Sequence, residues 1–406
     1  MFLYRLLVSV FAIVTLWRAF RAGGLAAMRD RLSPGPAPAG PHVWLHGASN
    51  GELASVKPLL DAMIAARPDL RWLITANTDT GVALARGWDL PRTSVHLAPI
   101  DLRGPAKRTM RLWHVTAHIA LESELWPNRI LACPGPTVLL GARMTPGTAR
   151  TWARFPRLTR RMLARVRYAS AQDAGSADRL AALGLPPQAR GPIVDLKAFY
   201  DPPPIPEDPT LTAAYPRART WLAASTHAGE EETVLDAHKA LLIQHPHLKL
   251  ILAPRHPRRA EEIAAAAHTR GLTCARRSLD QSPETAQVYI ADTMGEMPRW
   301  YARAGRVFIG GTLTDRGGHT PYEPAAFGAA LLHGPDTANF AAAFARLAEA
   351  KAAYEIDDAE TLAAALAALT DAEAQATAGQ AAQQALRQEA DPVAVITPVL
   401  ALLPKA

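Results

Sequence analysis

Short apolar runs that alternate with helical patterns constrain the fold of this 406-residue chain more than any other feature. Each run is nearly continuous in apolar residues and ends in polar or glycine-rich residues, and each half of the chain contains one series of them. The first series comprises His42–Leu45, Trp72–Ala76, Val95–Pro99, His118–Leu121 and Thr137–Leu140, and the second comprises Trp221–Ala224, Leu248–Ala253, Val288–Ile290, Val307–Ile309 and Ala330–Leu332. Strands of a parallel sheet have this pattern because both faces of the sheet are covered. The sequence therefore predicts an α/β fold with two Rossmann-like, doubly wound domains.

A proline-rich stretch separates the two series. Tyr200–Pro209 contains five prolines, which favour a stiff, extended chain over a helix or a strand. We therefore predict an N-terminal domain over residues 30–200, a linker over residues 201–215 and a C-terminal domain over residues 216–406. The alanine-rich helices expected at the end of the C-terminal domain are predicted to pack without contributing to a site.

The N-terminus carries an apolar segment flanked by arginines. Leu6–Trp17 is apolar apart from Ser9 and Thr15, and Arg5 precedes it. The arginines that follow it are Arg18, Arg21, Arg29 and Arg31. A signal peptide is the alternative, but no clear small-residue cleavage site follows. Because the flank after the segment is the more positive one, we predict a membrane anchor over residues 1–22, spanning or dipping, with the body on the cytoplasmic side.

The two halves of the chain differ in charge. Residues 1–200 hold 26 Lys and Arg against 12 Asp and Glu, whereas residues 201–406 hold 18 against 25. The segment Arg143–Arg167 contains eight arginines and no carboxylate. A solvated helix face is one interpretation, although such faces usually mix both signs. The other is an anionic partner, namely phospholipid, a phosphorylated substrate or nucleic acid.

Composition argues against several classes of protein. The basic half lacks interleaved aromatic residues and any known nucleic-acid motif, so no nucleic-acid partner is expected. The only cysteines, Cys133 and Cys274, predict no disulfide framework and fit a reducing cytosol. No pattern of closely spaced Cys and His residues predicts a zinc site.

Two polar clusters follow predicted strands in the first half, where ligands bind in open α/β sheets. Ser49-x-x-Glu52 has the form of a capping box at a helix start, yet a carboxylate beside a glycine there could also be a general base, and one group can do both. Glu122 and Glu124 would lie on the same side of an extended segment and could orient a substrate. The alternative for this second cluster is a turn closed by Pro127.

Two further clusters follow predicted strands in the second half. Ser225, Thr226 and His227 precede a helix, so they fit either an N-cap or an anion site. Arg255 and His256 could hold a phosphate or contact a base, although this pair alone is weak evidence.

A glycine-rich run is the strongest local signal in the sequence. It comprises Gly310, Gly311, Gly317, Gly318, His319, Pro321 and Glu323. Glycines let a backbone approach phosphate oxygens, and a carboxylate such as Glu323 could bind ribose hydroxyls. The run matches neither GxxxxGK[ST] nor GxGxxG, which argues against an ATPase or a dehydrogenase.

Taken in order, eight motifs resemble the 3-deoxy-D-manno-octulosonic acid (Kdo) transferases of lipopolysaccharide assembly. The motifs are HGASNGE, ALESELWPN, ARMTPGTAR, ASTHAGEEE, LAPRHPRR, DTMGEM, GGTLTDRGGHTPYEP and GPDTANF. Each is weak alone, but their shared order over about four-fifths of the chain is specific. The resemblance implies a GT-B architecture, with two domains facing across a cleft, the acceptor site in the first and the donor site in the second.

The resemblance also implies the reaction and its partners. It implies inverting transfer of Kdo from CMP-Kdo to a lipid A precursor at the cytoplasmic face of the bacterial inner membrane. It implies no metal and no cofactor other than the donor substrate. The arginine-rich segment would then face lipid phosphates and the anionic membrane surface.

Site residues follow from the matched motifs. Glu52 is expected to be the catalytic base. The expected donor-binding residues are Ser225, Thr226, Arg255, His256, Gly295, Glu296, Gly317, Gly318, His319 and Glu323. The expected acceptor-side residues are Ser49, Gly51, Glu122, Glu124 and Arg143.

Several positions depart from the usual motifs of the family, among them the segment Gly191–Lys197, which only weakly matches the usual GNLKFD. Asn50 replaces the Val of SVGE, Gly141 replaces the Asn of NARLS, and Thr320 replaces the Asn that usually follows the GGH histidine. These changes leave open a divergent paralogue with another nucleotide sugar or lipid acceptor. A protein that binds CMP or lipid without catalysis is the remaining alternative.

Overall fold

The computed structural model describes residues 2–33, 35, 37–387 and 392–404. The chain forms two compact units, which meet in sequence between Phe199 and Tyr200. Unit 1 holds the chain up to Phe199 together with the described residues 392–404, and unit 2 holds Tyr200–Arg387.

Unit 1 is built from strands that alternate with helices. Its strands are β1 (His42–His46), β2 (Arg71–Ala76), β3 (Thr93–Leu97), β4 (Val115–Leu121), β5 (Thr137–Ala142), β6 (Val166–Ala171) and β7 (Arg190–Ile193). Its first eight helices are α1 (Phe2–Asp30), α2 (Asn50–Ala66), α3 (Asp79–Arg86), α4 (Arg103–Leu112), α5 (Pro127–Ala132), α6 (Pro146–Ala153), α7 (Pro156–Leu163) and α8 (Ala174–Ala182).

The seven strands of unit 1 form one parallel sheet in the order β3-β2-β1-β4-β5-β6-β7. Strands β1, β2, β4 and β5 are almost wholly buried, which explains their continuous apolar sequences. The order reverses between β1 and β4, so the chain leaves these two neighbours in opposite directions. Such a switch point opens a crevice beyond the carboxyl ends of both strands.

Unit 2 repeats this architecture. Its strands are β8 (Thr220–Thr226), β9 (Lys249–Pro254), β10 (Cys274–Arg276), β11 (Val288–Ile290), β12 (Arg306–Ile309), β13 (Ala330–His333) and β14 (Ala353–Glu355). Its helices are α9 (Pro209–Ala214), α10 (Glu230–Leu242), α11 (Ala260–Thr269), α12 (Met297–Arg303), α13 (Tyr322–Ala326), α14 (Ala341–Glu349), α15 (Ala359–Ala368) and α16 (Ala372–Leu386). The parallel sheet has the order β10-β11-β9-β8-β12-β13-β14, with its switch point between β8 and β12.

The predicted linker is partly helical. Residues 201–208 form no helix or strand, whereas Pro209–Ala214, inside the linker predicted over residues 201–215, form α9. The Asp208 carboxylate accepts the N–H of Leu211, and Pro209 lies in the first turn, where its missing N–H costs nothing.

The last helix, α17 (Pro392–Leu402), belongs to unit 1, although the sequence placed it with the C-terminal domain. Val395, Ile396 and Val399 are buried in the same apolar cluster as α2 residues such as Leu59 and Met63. The predicted domain over residues 216–406 therefore ends too late. An apolar helix face in the sequence predicts that the helix packs against a core, but it does not predict which domain provides that core.

Among the side chains of α1 that the structure describes, most of the large apolar ones are exposed. Val8 and Ala12 are buried, and the Tyr4 hydroxyl donates a hydrogen bond of 2.7 Å to Asp101. The exposed large apolar side chains of this helix are Leu6, Val10, Phe11, Ile13, Val14, Trp17, Phe20 and Leu25. Among the described residues, none of the helices combines the length and the apolar character needed to cross a bilayer.

Candidate functional site

The acceptor-side residues predicted from the sequence gather at the switch point of unit 1. The loop after β1 leads into α2 and carries Ser49 and Glu52, and the loop after β4 carries Glu122 and Glu124. Because β1 and β4 are neighbours in the sheet, their carboxyl ends bring both loops to one edge.

Glu52 lies in the first turn of α2 and forms half of the predicted capping box, because its carboxylate accepts the N–H of Ala48 rather than that of Ser49. Ser49 is the N-cap, and its Oγ accepts the Glu52 N–H at 3.4 Å. The Glu52 carboxylate reaches back and accepts the Ala48 N–H at 2.8 Å. Burial, followed by the negative charge of Glu122 and then of Glu124, raises the pKa of Glu52 to about 7. A carboxylate with a pKa near the working pH is suited to general base catalysis.

Glu122 and Glu124 lie in a turn, so the prediction of an extended segment with both carboxylates on one side is wrong. Glu122 has a φ of 43°, in the left-handed region, and its carboxylate forms an ion pair with Lys197. Glu124 has different partners, described next. The alternative was a turn closed by Pro127 and Asn128; the turn lies earlier, at Glu122 and Ser123, and Pro127 and Asn128 begin α5.

Glu124 is a partly buried carboxylate held by three donors. His46 Nε2 donates at 2.8 Å, Trp126 Nε1 at 2.6 Å and Asn77 Nδ2 at 3.3 Å. Burial alone would raise the pKa of Glu124, but the hydrogen bonds from His46 and Trp126 lower it to about 2. Burial lowers the pKa of His46 to about 4, so the imidazole is neutral and donates from Nε2.

The remaining acceptor-side residues differ in their surroundings. Gly51 is exposed, and a Cβ added there would contact nothing within 4 Å. The Arg143 N–H donates to the Glu122 carbonyl at 3.2 Å, which places this residue beside the same turn. Asn50 accepts a hydrogen bond of 3.0 Å from Thr80 at the start of α3.

Gly141 occupies a left-handed backbone position. Its φ is 59°, a value that Gly adopts freely and Asn tolerates better than most residues. The replacement of Asn by Gly therefore preserves the backbone. A Cβ there would lie 2.7 Å from Leu196 Cγ, so the Leu196 side chain occupies the space that a side chain at position 141 would need.

The switch point of unit 2 carries the predicted donor-side residues Ser225, Thr226 and His319. Ser225 has a φ of 58° at the end of β8, and Thr226 is buried. Helix α10 begins at Glu230 with Gly229 as its N-cap, so the prediction that Ser225 or Thr226 caps this helix is wrong.

Five backbone N–H groups of the glycine-rich loop after β12 already donate to acceptors within unit 2. The N–H groups of Gly310, Gly318 and His319 donate to the carbonyls of Ala224, Gly311 and Gly310, respectively. The Gly311 N–H donates to Glu230 at 2.8 Å and the Gly317 N–H to Asp336 at 2.5 Å. The expectation that these amides cradle a phosphate is therefore corrected. The glycines shape the loop, and side chains remain to meet an anion.

Gly317 shows why glycine is required there. Its φ is 75°, and a Cβ would lie 2.7 Å from Asn339 Cγ. Asn339 Nδ2 donates to the carbonyls of Arg316 and Gly318, so the GPDTANF segment supports the glycine loop.

Three imidazoles meet beside this loop. His227 Nε2 and His319 Nε2 are 2.9 Å apart, and the two rings are parallel to within 4°. The His256 ring meets His227 edge-on at a centroid distance of 5.8 Å. Arg255 and His256 are exposed at the end of β9, and the Arg255 N–H donates to the Thr226 carbonyl at 3.0 Å. The predicted residues Arg255, His256 and His319 thus share one location.

Three predicted donor-side residues remain, namely Glu296, Gly295 and Glu323. Glu296 is paired with Arg277 at 3.0 Å and with Arg299 at 3.2 Å. Burial raises the pKa of its carboxyl, but the hydrogen bonds from Arg277 and Thr293 outweigh burial and lower it. The adjacent Gly295 is exposed with a φ of 85°. Glu323 lies in the first turn of α13, as predicted from Pro321.

Sequence reasoning gave no role to His46 or Glu230, and it named His227 only as part of a helix cap or an anion site. His46 and His227 stand inside the quoted motifs, but only the structure shows that each contacts a predicted site residue. Glu230 follows Gly229 and resembles any acidic residue of a first helical turn, yet it is fully buried. A glutamate run beside a glycine is the only signal that could have indicated it.

Comparison with known proteins gives the same family for most of the chain. The family model for 3-deoxy-D-manno-octulosonic-acid transferase (kdotransferase) matches residues 25–199. The 3-deoxy-D-manno-octulosonic acid transferase of Haemophilus influenzae is 31% identical over 334 residues, which cover 79% of this chain and 77% of that protein. The enzyme of the same name from Bordetella pertussis is 31% identical over 375 residues, covering 86% of each chain.

Among solved structures, a UDP-N-acetylglucosamine 2-epimerase has a similar fold. Its TM-score is 0.61 at 13% sequence identity, and the match covers 88% of this chain and 94% of the epimerase. At this identity the likeness concerns the fold alone.

Proposed function

The chain belongs to the 3-deoxy-D-manno-octulosonic acid (Kdo) transferase family, and we propose on this basis that it transfers Kdo from CMP-Kdo to a lipid A precursor. The observation that carries the proposal is the position and the raised pKa of the Glu52 carboxylate. This carboxylate lies at the switch point of unit 1, inside the matched region, with a pKa raised to about 7.

The proposed reaction needs a base on the acceptor side. Glu52 accepts the proton of a lipid hydroxyl as the hydroxyl oxygen bonds to the anomeric carbon of Kdo. The bond from that carbon to the CMP phosphate breaks, and CMP leaves with the electron pair. A positioned base typically contributes about 10²–10⁴-fold to such a step. Inversion at the anomeric carbon follows from direct displacement.

The donor-side residues are proposed to stabilise the departing CMP. Arg255, His256 and His319 share one location in unit 2 and can donate to a phosphate. Donors fixed where negative charge develops lower the barrier without reorganisation. We propose that these side chains supply the positive surroundings of the phosphate and that the reaction needs no metal.

The lipid acceptor requires contact with a membrane. We propose that α1 lies in the cytoplasmic face of the bacterial inner membrane, because its exposed apolar side chains would otherwise face water. Exposed arginines of α6, α7 and the turn between them, such as Arg150, Arg154, Arg157 and Arg161, would attract anionic lipid headgroups and the phosphates of the acceptor.

A mass-spectrometric transfer assay tests this function. The full chain in detergent is incubated with CMP-Kdo and a tetra-acylated lipid A precursor, beside Glu52→Gln and the control Asp61→Asn on the same helix. We expect Kdo mass increments on the lipid with the wild type and the control, and almost none with Glu52→Gln. Equal transfer by Glu52→Gln would contradict the assignment of the base.

Thr320 favours a second candidate, a related transferase with another nucleotide sugar. Its Oγ1 is buried and has no hydrogen-bond partner among the described residues, at the position where the family usually has Asn. Calorimetric titration with CMP, UDP and GDP separates the candidates. Tight binding of CMP alone supports the Kdo donor, whereas preferential binding of UDP or GDP would replace it.

A further inference from the structure

His227 is not needed by the reaction described above, yet its ring contacts His319 directly. The two Nε2 atoms are 2.9 Å apart, which is a hydrogen-bond distance. One nitrogen must therefore carry a hydrogen while the other accepts it. The pair can hold one additional proton on a remaining Nδ1, but two additional protons would place two N–H groups against each other.

The contact between the rings is built into the unit. Glu230 lies beneath the two loops with its side chain fully buried. Its carboxylate accepts the N–H of His227 at 2.8 Å, which fixes the loop after β8. The same carboxylate accepts the N–H groups of Gly311, Thr312 and Leu313 at 2.8–3.0 Å, which fixes the loop after β12. One carboxylate thus holds the loops that carry the two imidazoles.

The charges around the pair are mostly positive. Arg255 and His256 face both imidazoles, and Arg316 faces His227. Glu230 is the carboxylate that faces His227. Burial, followed by the interactions with His227 and then with Arg255 and His256, lowers the pKa of His319 to about 4, and burial also lowers the pKa of His227. Without a ligand the pair is therefore neutral at neutral pH.

A phosphate placed there would reverse this balance. The phosphate of CMP becomes a monoester once the bond to Kdo is broken, carries close to two negative charges at neutral pH and favours a protonated imidazole beside it. We propose that His227 is a further donor-binding residue, and that the His227–His319 pair takes up one proton from solvent when the nucleotide phosphate binds. This inference rests on the proposed donor site in unit 2.

Calorimetry of CMP binding to the full chain tests the proposal. Titrations at about pH 7.5, where free CMP is largely a dianion, are repeated in buffers of different ionisation enthalpy. The slope of observed enthalpy against ionisation enthalpy gives the number of protons taken up. We expect uptake approaching about one proton for the wild type.

Two variants complete the test. His227→Gln should bind CMP about tenfold more weakly and lose most of the uptake, while His247→Gln, an exposed histidine of the same unit, should change neither. Binding without uptake in the wild type, or unchanged uptake in His227→Gln, would overturn the inference. Absence of CMP binding to the wild type would instead overturn the proposed donor.

A second measurement covers the case in which His227→Gln does not fold. The imidazole Cε1–H signals of the wild type are titrated by NMR with and without CMP. The inference requires one imidazole pKa of the pair to rise on binding, and two unchanged titrations would contradict it.

Discussion

Glu230 shows how one buried side chain can organise a site. Its two carboxylate oxygens accept four backbone N–H groups from two loops. Each of those amides would be left without a partner if the carboxylate were removed, and a buried unpaired donor is costly. The residue therefore stabilises the fold and places His227 and the glycine loop at the same time.

Replacing Glu230 by Gln should lower the free energy of unfolding. Gln has the same shape, but its NH2 group would face two of the four amides, at a cost of about 2–5 kcal/mol. Urea denaturation followed by circular dichroism measures the change, with Glu360→Gln, an exposed glutamate in the first turn of α15, as the control. Equal midpoints for the two variants would show that the Glu230 hydrogen bonds do not stabilise the unit.

The location of a candidate site residue was predictable only where the family resemblance assigns a role to that residue. Glu52 and His319 stand in the matched motifs and lie at the two switch points. His46 and Glu230 owe their roles to burial and to partners far away in sequence, Glu124 and the loop after β12. The burial of a single polar residue cannot be predicted from the sequence, because it depends on how other elements pack around that residue.

At the scale of elements, the strands were predictable where they are buried on both faces. All ten predicted apolar runs lie in strands or overlap them. Strands β6, β7, β10 and β14 were missed, because they are short or mix polar residues with small ones. Three of them, β7, β10 and β14, lie at the edges of their sheets. An edge strand is held by pairing with its neighbour, and this pairing does not require a continuous apolar sequence.

Helix α17 should contribute to the stability of unit 1. Ile396 is buried in the core cluster that includes α2, whereas Val393 on the same helix is 56% exposed. Ile396→Ala removes buried methyl groups and should cost about 2–5 kcal/mol, while Val393→Ala should cost much less. Chemical denaturation of both variants measures the difference, and equal stability would mean that α17 does not pack as described.

Helix α1 should bind anionic membranes through its exposed apolar side chains. Phe11 and Ile13 are 56% and 68% exposed, so replacing both by Ser removes apolar area that would enter the bilayer. The bound fraction in co-sedimentation with vesicles containing phosphatidylglycerol should fall severalfold. Leu279→Ser, at an exposed leucine of unit 2, is the control, and an equal loss in both variants would contradict the role of α1.

For the whole molecule, the candidate site residues are divided between two units of one architecture. Unit 1 carries the carboxylate with a raised pKa and the exposed arginines, and unit 2 carries the imidazoles. Each set lies at the switch point of its own parallel sheet, where chain reversal opens a crevice. A fold of this kind positions reactive groups on loops while the buried strands hold the loops in place.

The pH dependence of Kdo transfer tests the central claim, that the Glu52 carboxylate is the base of this transferase. The value of kcat/KM for the lipid acceptor is measured at saturating CMP-Kdo from about pH 5.5 to about pH 8.5. Because Glu52 must be ionised to accept a proton and its pKa is raised to about 7, the value should fall about tenfold per unit below that pH and level off above it. Glu52→Gln should have a very low rate throughout. A flat profile in the wild type, or the same profile and rate in Glu52→Gln, would contradict the claim.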